Sequence, residues 1–134
     1  MLSACGNTRF RRWRILGTER TNMAPDLLAN IEITPREVKE RLDHGEKFLF
    51  VDVREPWEHQ TAHIEGSKLI PLGQIPASLA EIEAAGEVVI FCHHGMRSLD
   101  AAAWLRSQGV EGARSMTGGI ERWAVEIDPK VPHY

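Results

Sequence analysis

The chain has 134 residues, 43% of them hydrophobic and 26% charged, with a net charge of −3. That length suits one domain able to bury a core, and no run approaches the roughly 18 apolar residues of a membrane-spanning helix, which argues against membrane partners. The charge is uneven: residues 1–22 carry +4 and the remainder −7, and so acidic a body argues against nucleic acid as a partner.

Residues 1–24 read as a basic, unstructured leader and residues 25–134 as the folded domain. Leu2-Ser3-Ala4-Cys5 has the look of a lipoprotein cleavage box. Only Met1 precedes it, however, where a secretory signal needs an apolar stretch of roughly 7–15 residues. Met23 stands where the composition changes and is a candidate start. The two cysteines, Cys5 and Cys92, are too few for a disulfide framework and lack the spacing of a zinc set. A reducing, cytoplasmic setting with no metal and no cofactor is the expectation.

Asn30–Ile33 predicts a short strand. Thr34-Pro35-Arg36-Glu37 then predicts a helix start, with Thr34 as cap, Pro35 in the first turn and Glu37 completing a capping box. Val38 and Leu42 share one face of that helix, and Gly45 ends it. Lys47–Val53 is a near-continuous apolar run, the pattern of a strand buried on both faces of a parallel sheet. Arg54–His59 leaves its carboxyl end, and Ile64–Pro71 predicts a turn and a short strand. Leu72, Ile75, Leu79 and Ile82 recur at helical spacing before Gly86. Glu87–Phe91 is the next buried strand. Ser98–Gln108 predicts a helix with Leu99, Ala102, Ala103 and Leu105 on its apolar side, residues 110–116 a last strand, and Thr117-Gly118-Gly119 a turn into a helix carrying Ile120, Trp123 and Ala124. Residues 128–132 predict an extended tail. Alternation of this kind implies a three-layer α/β/α sandwich with a parallel sheet of about five strands, with ligands bound beyond the strands' carboxyl ends.

Cys92 stands at that edge. It ends an apolar run and is followed by His93-His94-Gly95-Met96-Arg97-Ser98. A sulfur there faces loop N–H groups and a helix N-terminus, both of which stabilise a thiolate nucleophile. A core cysteine is the plainer alternative, but a core cysteine sits within an apolar run rather than at its end. Arg97 is a cation placed against the helix dipole, and it suits bidentate capture of an anionic substrate. Gly95 permits a positive φ, and Ser98 reads as the helix cap. His93 and His94 point apart, lack further ligands at helical spacing, and read as rim residues of the loop rather than a metal pair. Asp52 and Arg54 read as a pair bracing the site, with Arg54 facing the substrate as the alternative. Asp100 is expected to satisfy helix N–H groups or a loop arginine. Trp57 and Trp123 read as core, with Trp123 as a pocket wall the alternative, and His59 and His63 have no assigned role.

With these residues in view, the chain resembles the rhodanese-like single-domain sulfurtransferases over roughly residues 28–134. The resemblance rests on Val51-Asp52-Val53-Arg54-Glu55 with Glu58, on His63-Ile64-Glu65-Gly66-Ser67 leading to Ile70-Pro71, on the Cys92–Ser98 loop, and on Gly118-Gly119-Ile120 with Trp123. Ser67 stands where many members carry alanine. The resemblance implies that Cys92 attacks the outer sulfur of a donor such as thiosulfate, becomes a persulfide, and passes the sulfur to cyanide or a thiol. It implies substrate-binding roles for His93, His94, Gly95, Met96 and Ser98, with Arg97 orienting the donor. The partners are then a small sulfur donor and acceptor, or a sulfur-accepting protein in cofactor or tRNA thiolation. The same fold also includes cysteine phosphatases and arsenate reductases, whose loop is one residue longer than the four between Cys92 and Arg97. It further includes binding modules that commonly lack the cysteine.

Overall fold

A computed structural model describes residues 28–134; the leader reading and Cys5 lie outside them. Five parallel strands form one sheet in the order β1-β5-β4-β2-β3, with β1 at Glu32–Ile33, β2 at Leu49–Asp52, β3 at Lys68–Leu69, β4 at Glu87–Phe91 and β5 at Gly112–Met116. The helices are α1 (Pro35–Asp43), α2 (Pro56–Thr61), α3 (Leu79–Ala85), α4 (Met96–Ser107) and α5 (Gly119–Glu126). α1 starts as its sequence predicts. Thr34 and Glu37 form the reciprocal capping box, and Pro35 occupies the first turn. The stretch before α3 differs from the continuous helix its spacing implies. Pro76 interrupts it, and two short 3₁₀ turns, Leu72–Gln74 and Pro76–Ser78, precede α3.

The apolar runs are continuous because alternate side chains enter two cores. From β4 and its end, Val88, Ile90 and Cys92 join Val51, Val53, Ala101, Ala102 and Leu105 on the α4 side. Val89 and Phe91 join Phe50, Val38, Ile120 and Trp123 on the other. Every residue named in these two sets is at least 95% buried. Burial on this scale, at about 25 cal/mol per Å² of apolar surface, is the main term opposing chain entropy.

Register sets the site. Leu49 through Asp52 pair with Val88 through Phe91, so β2 and β4 end side by side. The Val53 N–H then donates to the Phe91 carbonyl at 3.1 Å, which fixes the chains as they leave the sheet. Arg106 anchors the opposite end of α4. Although charged, it is buried, and it donates to the carbonyls of Ala113 at 2.8 Å, Ala29 at 2.6 Å and Asn30 at 3.1 Å. Trp57 departs from its expected place in the core and is 60% exposed. The inward position of short α2 goes to Glu58, and a helical neighbour lies about 100° further round. Trp123 is in the core, where the sequence puts it.

Candidate functional site

Cys92 lies just past β4 and is 1% exposed. Its Sγ accepts from the Gly95 N–H at 3.0 Å and faces the Ser98 N–H at 3.4 Å. The Ser98 hydroxyl is 3.5 Å from the sulfur and 2.7 Å from the Ser115 hydroxyl, which β5 delivers beside it. The two N–H groups and the N-terminus of the twelve-residue α4 converge on one sulfur, a setting that favours negative charge there.

Two glycines allow the loop this shape. Gly95, the residue that caps α4, has a φ of 109°. At Gly119 a side-chain carbon would fall 2.5 Å from the Cys92 carbonyl oxygen and 2.3 Å from that of His93. α5 can therefore approach until Ile120 N–H donates to the Cys92 carbonyl at 2.8 Å and Glu121 N–H to the His93 carbonyl at 3.1 Å. The loop's outward carbonyls are held by one helix while its inward N–H groups face the sulfur.

Two expectations need correction. α4 begins at Met96, so Gly95 and not Ser98 caps it; Ser98 lies inside the first turn, fully buried, with its hydroxyl turned to the Gly95 carbonyl at 3.2 Å. The earlier start carries Asp100 into the second turn. There it is exposed and its side chain makes no hydrogen bond to another described residue, so it satisfies neither the helix end nor an arginine. His94 and Met96 are exposed at the rim, Met96 at 73%. The His93 ring is stacked between His94, with centroids 3.9 Å apart, and Tyr134, with centroids 4.0 Å apart. Burial and the neighbouring His94 hold the His93 imidazolium below its ordinary range.

Asp52 and Arg54 are both fully buried. The Arg54 guanidinium donates to both carboxylate oxygens of Asp52, at 2.8 and 2.7 Å, to the Ala62 carbonyl, and to the Tyr134 hydroxyl at 2.7 Å. His59 Nδ1 shares the same carboxylate at 2.9 Å, and its ring stacks on His63. Arg97, expected to be free for an anion, has both terminal nitrogens on the Glu58 carboxylate, at 2.8 and 3.0 Å. Glu58 accepts two further bonds, from the Glu55 N–H at 2.9 Å and the Tyr134 hydroxyl at 2.8 Å. Arg97, with burial opposing it, lowers the Glu58 carboxyl to about 2, while Glu58 raises the guanidinium above its already high value. The local sequence does not mark Glu58, Ser115 or Tyr134 as site residues. Glu58 stood in the family motif without a role, and Tyr134 reaches the site from 76 and 80 residues along the chain, so no local pattern marks it.

A family model for the Rhodanese-like domain matches residues 34–126, and the chain belongs to that family. It is 36% identical over 86 residues to the thiosulfate sulfurtransferase GlpE of Pseudoalteromonas translucida, covering 64% of this chain and 82% of that one. It is 38% identical over 104 residues to the probable adenylyltransferase/sulfurtransferase MoeZ of Mycobacterium tuberculosis, covering 76% of this chain but 26% of that protein. The chain thus spans about a quarter of the length of the first curated relatives it matches. The human single-domain sulfurtransferase TSTD1 superposes with a TM-score of 0.64 at 26% identity, over 72% of this chain and 96% of that one. Among the described residues, no helix is long and apolar enough to cross a membrane.

Proposed function

We propose that this chain is a sulfurtransferase that carries a sulfane sulfur as a persulfide on Cys92. The observation that carries the reading is the Cys92 sulfur, held within hydrogen-bonding reach of two loop N–H groups at the N-terminus of α4. A thiolate there attacks the outer sulfur of a donor. The new Cys92 S–S bond forms as the donor's own S–S bond breaks, and the electron pair leaves on sulfite from thiosulfate or on a thiol from a persulfide. The same N–H groups then face the persulfide anion. An acceptor, cyanide or a thiol, attacks the outer sulfur and restores the Cys92 thiolate. Asp52 and Arg54 brace the edge from which the loop springs. The chemistry needs a reduced thiol, which fits a cytoplasmic setting.

A second reading is favoured by one observation: Cys92 is the one cysteine among the described residues. With no resolving thiol beside it, the persulfide must leave to an outside molecule. A protein acceptor in cofactor or tRNA thiolation is consistent with that need and with the similarity to MoeZ.

Incubation with thiosulfate or an alkyl persulfide, followed by peptide mass spectrometry, is expected to place one added sulfur on the Cys92 peptide and none there in Cys92→Ser. That variant is expected to lose all sulfur transfer and to keep its melting temperature. Retained transfer in the variant, or an adduct on Cys5 alone, overturns the proposal.

A further inference from the structure

Three arginines stand near the site, one of them on its rim, and each is already committed to a carboxylate. Arg97 is bidentate on Glu58. Arg54 is bidentate on Asp52 and fully buried. Arg122, beside the Gly118 that packs against Gly95, pairs with Glu126 at 2.7 Å. We propose that Glu58 determines donor specificity: it takes up the charge of Arg97, leaves the mouth of the site without a net cation, and so favours persulfide donors over the thiosulfate dianion.

This inference rests on the sulfurtransferase reading and deepens it by naming a donor class. Thiosulfate brings two negative charges toward a thiolate that is itself anionic. A free arginine would offset that repulsion; a neutral ion pair does so only weakly. An alkyl persulfide brings no sulfonate and needs no such offset. The transfer balances as follows: the Cys92 thiolate attacks the outer sulfur of R–S–SH, the donor's S–S bond breaks, and R–SH departs with the proton, leaving the Cys92 persulfide anion.

The Glu58–Arg97 pair is built to persist. The Glu58 side chain is 6% exposed, against 36% for Arg97. Its carboxylate accepts four bonds in all, from Arg97 twice, Glu55 and Tyr134. It also occupies the first turn of α2, where an anion is favoured. Swinging Arg97 away to clamp a sulfonate would leave that carboxylate buried and short of two donors, an uncompensated cost.

The experiment compares second-order rates of sulfur loading on Cys92 by thiosulfate and by 2-hydroxyethyl persulfide, read by peptide mass spectrometry. Glu58→Gln keeps the shape of the side chain and frees the Arg97 charge. It is expected to raise the thiosulfate-to-persulfide rate ratio by about tenfold. Adding Arg97→Gln removes both charges and is expected to return the ratio to the wild-type value. A ratio that is unchanged or lower in Glu58→Gln, or about tenfold below wild type in the double variant, overturns the inference. Wild-type protein supplies an arm that does not depend on either variant folding. A mouth without a net cation predicts thiosulfate loading that rises with added salt, because salt screens repulsion, whereas a free arginine predicts a fall. If wild type accepts sulfur from neither donor, the sulfurtransferase reading fails; if it loads from both and salt lowers the thiosulfate rate, only the specificity inference fails.

Discussion

Two arginine–carboxylate pairs stand at the carboxyl edge of the sheet, and burial separates their roles. Asp52 and Arg54 are two residues apart, fully buried, and joined to a carbonyl, a tyrosine hydroxyl and a histidine. Glu58 and Arg97 come from different helices 39 residues apart, and the arginine reaches the surface. The first pair holds the end of β2 to the segment after α2. The second holds α2 to the loop that carries the sulfur. Removing Arg54 strands Asp52, which has no contact with solvent, whereas removing Arg97 strands Glu58, which keeps a 6% exposed side chain and its bonds from Glu55 and Tyr134. Tyr134 joins them: its hydroxyl accepts from Arg54 and donates to Glu58, so the scaffold pair and the rim pair share one hydrogen-bonded chain.

The two pairs differ most in what the loss of the arginine costs. Arg54→Met is expected to cost about 4–5 kcal/mol, because it strands the fully buried Asp52 carboxylate, and Arg97→Met about 3 kcal/mol, because it strands the nearly buried Glu58. Denaturant melts of both variants check this, and equal losses would erase the distinction between scaffold and rim. Acid provides the next largest effect. The Glu58 carboxyl titrates near 2 in the folded chain, against an ordinary 4.5. Its stabilisation is complete above 4.5 and is lost as pH falls from 4.5 through about 2, a loss of about 3 kcal/mol over the window. Melts across that range should show the loss in wild type and a shallower one in Glu58→Gln. The smallest effect is at the bridge. Tyr134→Phe keeps the ring against His93 and removes the hydroxyl from both pairs, at an expected cost of about 1 kcal/mol. A double-mutant cycle with Arg97→Met then measures whether the pairs communicate through the tyrosine.

Much of the fold is legible along the chain. The capping box at Thr34 and Glu37, the apolar runs before Asp52 and Cys92, and the glycines after the helices carry local signals, and the elements follow them closely. Local reading fails where a neighbour in space overrides it. Ser98 is a good cap by residue type, but the sulfur and Ser115 draw it inside the helix and Gly95 takes the cap. Trp57 is a good core residue by composition, but Glu58 holds the inward position of α2 through Arg97.

The place of Cys92 at the carboxyl edge of the sheet was legible in the sequence alone. An apolar strand that stops at a cysteine before a glycine-containing turn and a helix leaves the sulfur few other places to be, since backbone periodicity and strand burial are local properties. The state of Arg97 was a matter for tertiary structure. A guanidinium five residues beyond the cysteine looks like an anion clamp until Glu58, from another helix, and Tyr134, from the far end of the domain, close on it. Electrostatic partners are chosen by proximity in space, and sequence separations of 39 and 76 carry no local record of that proximity.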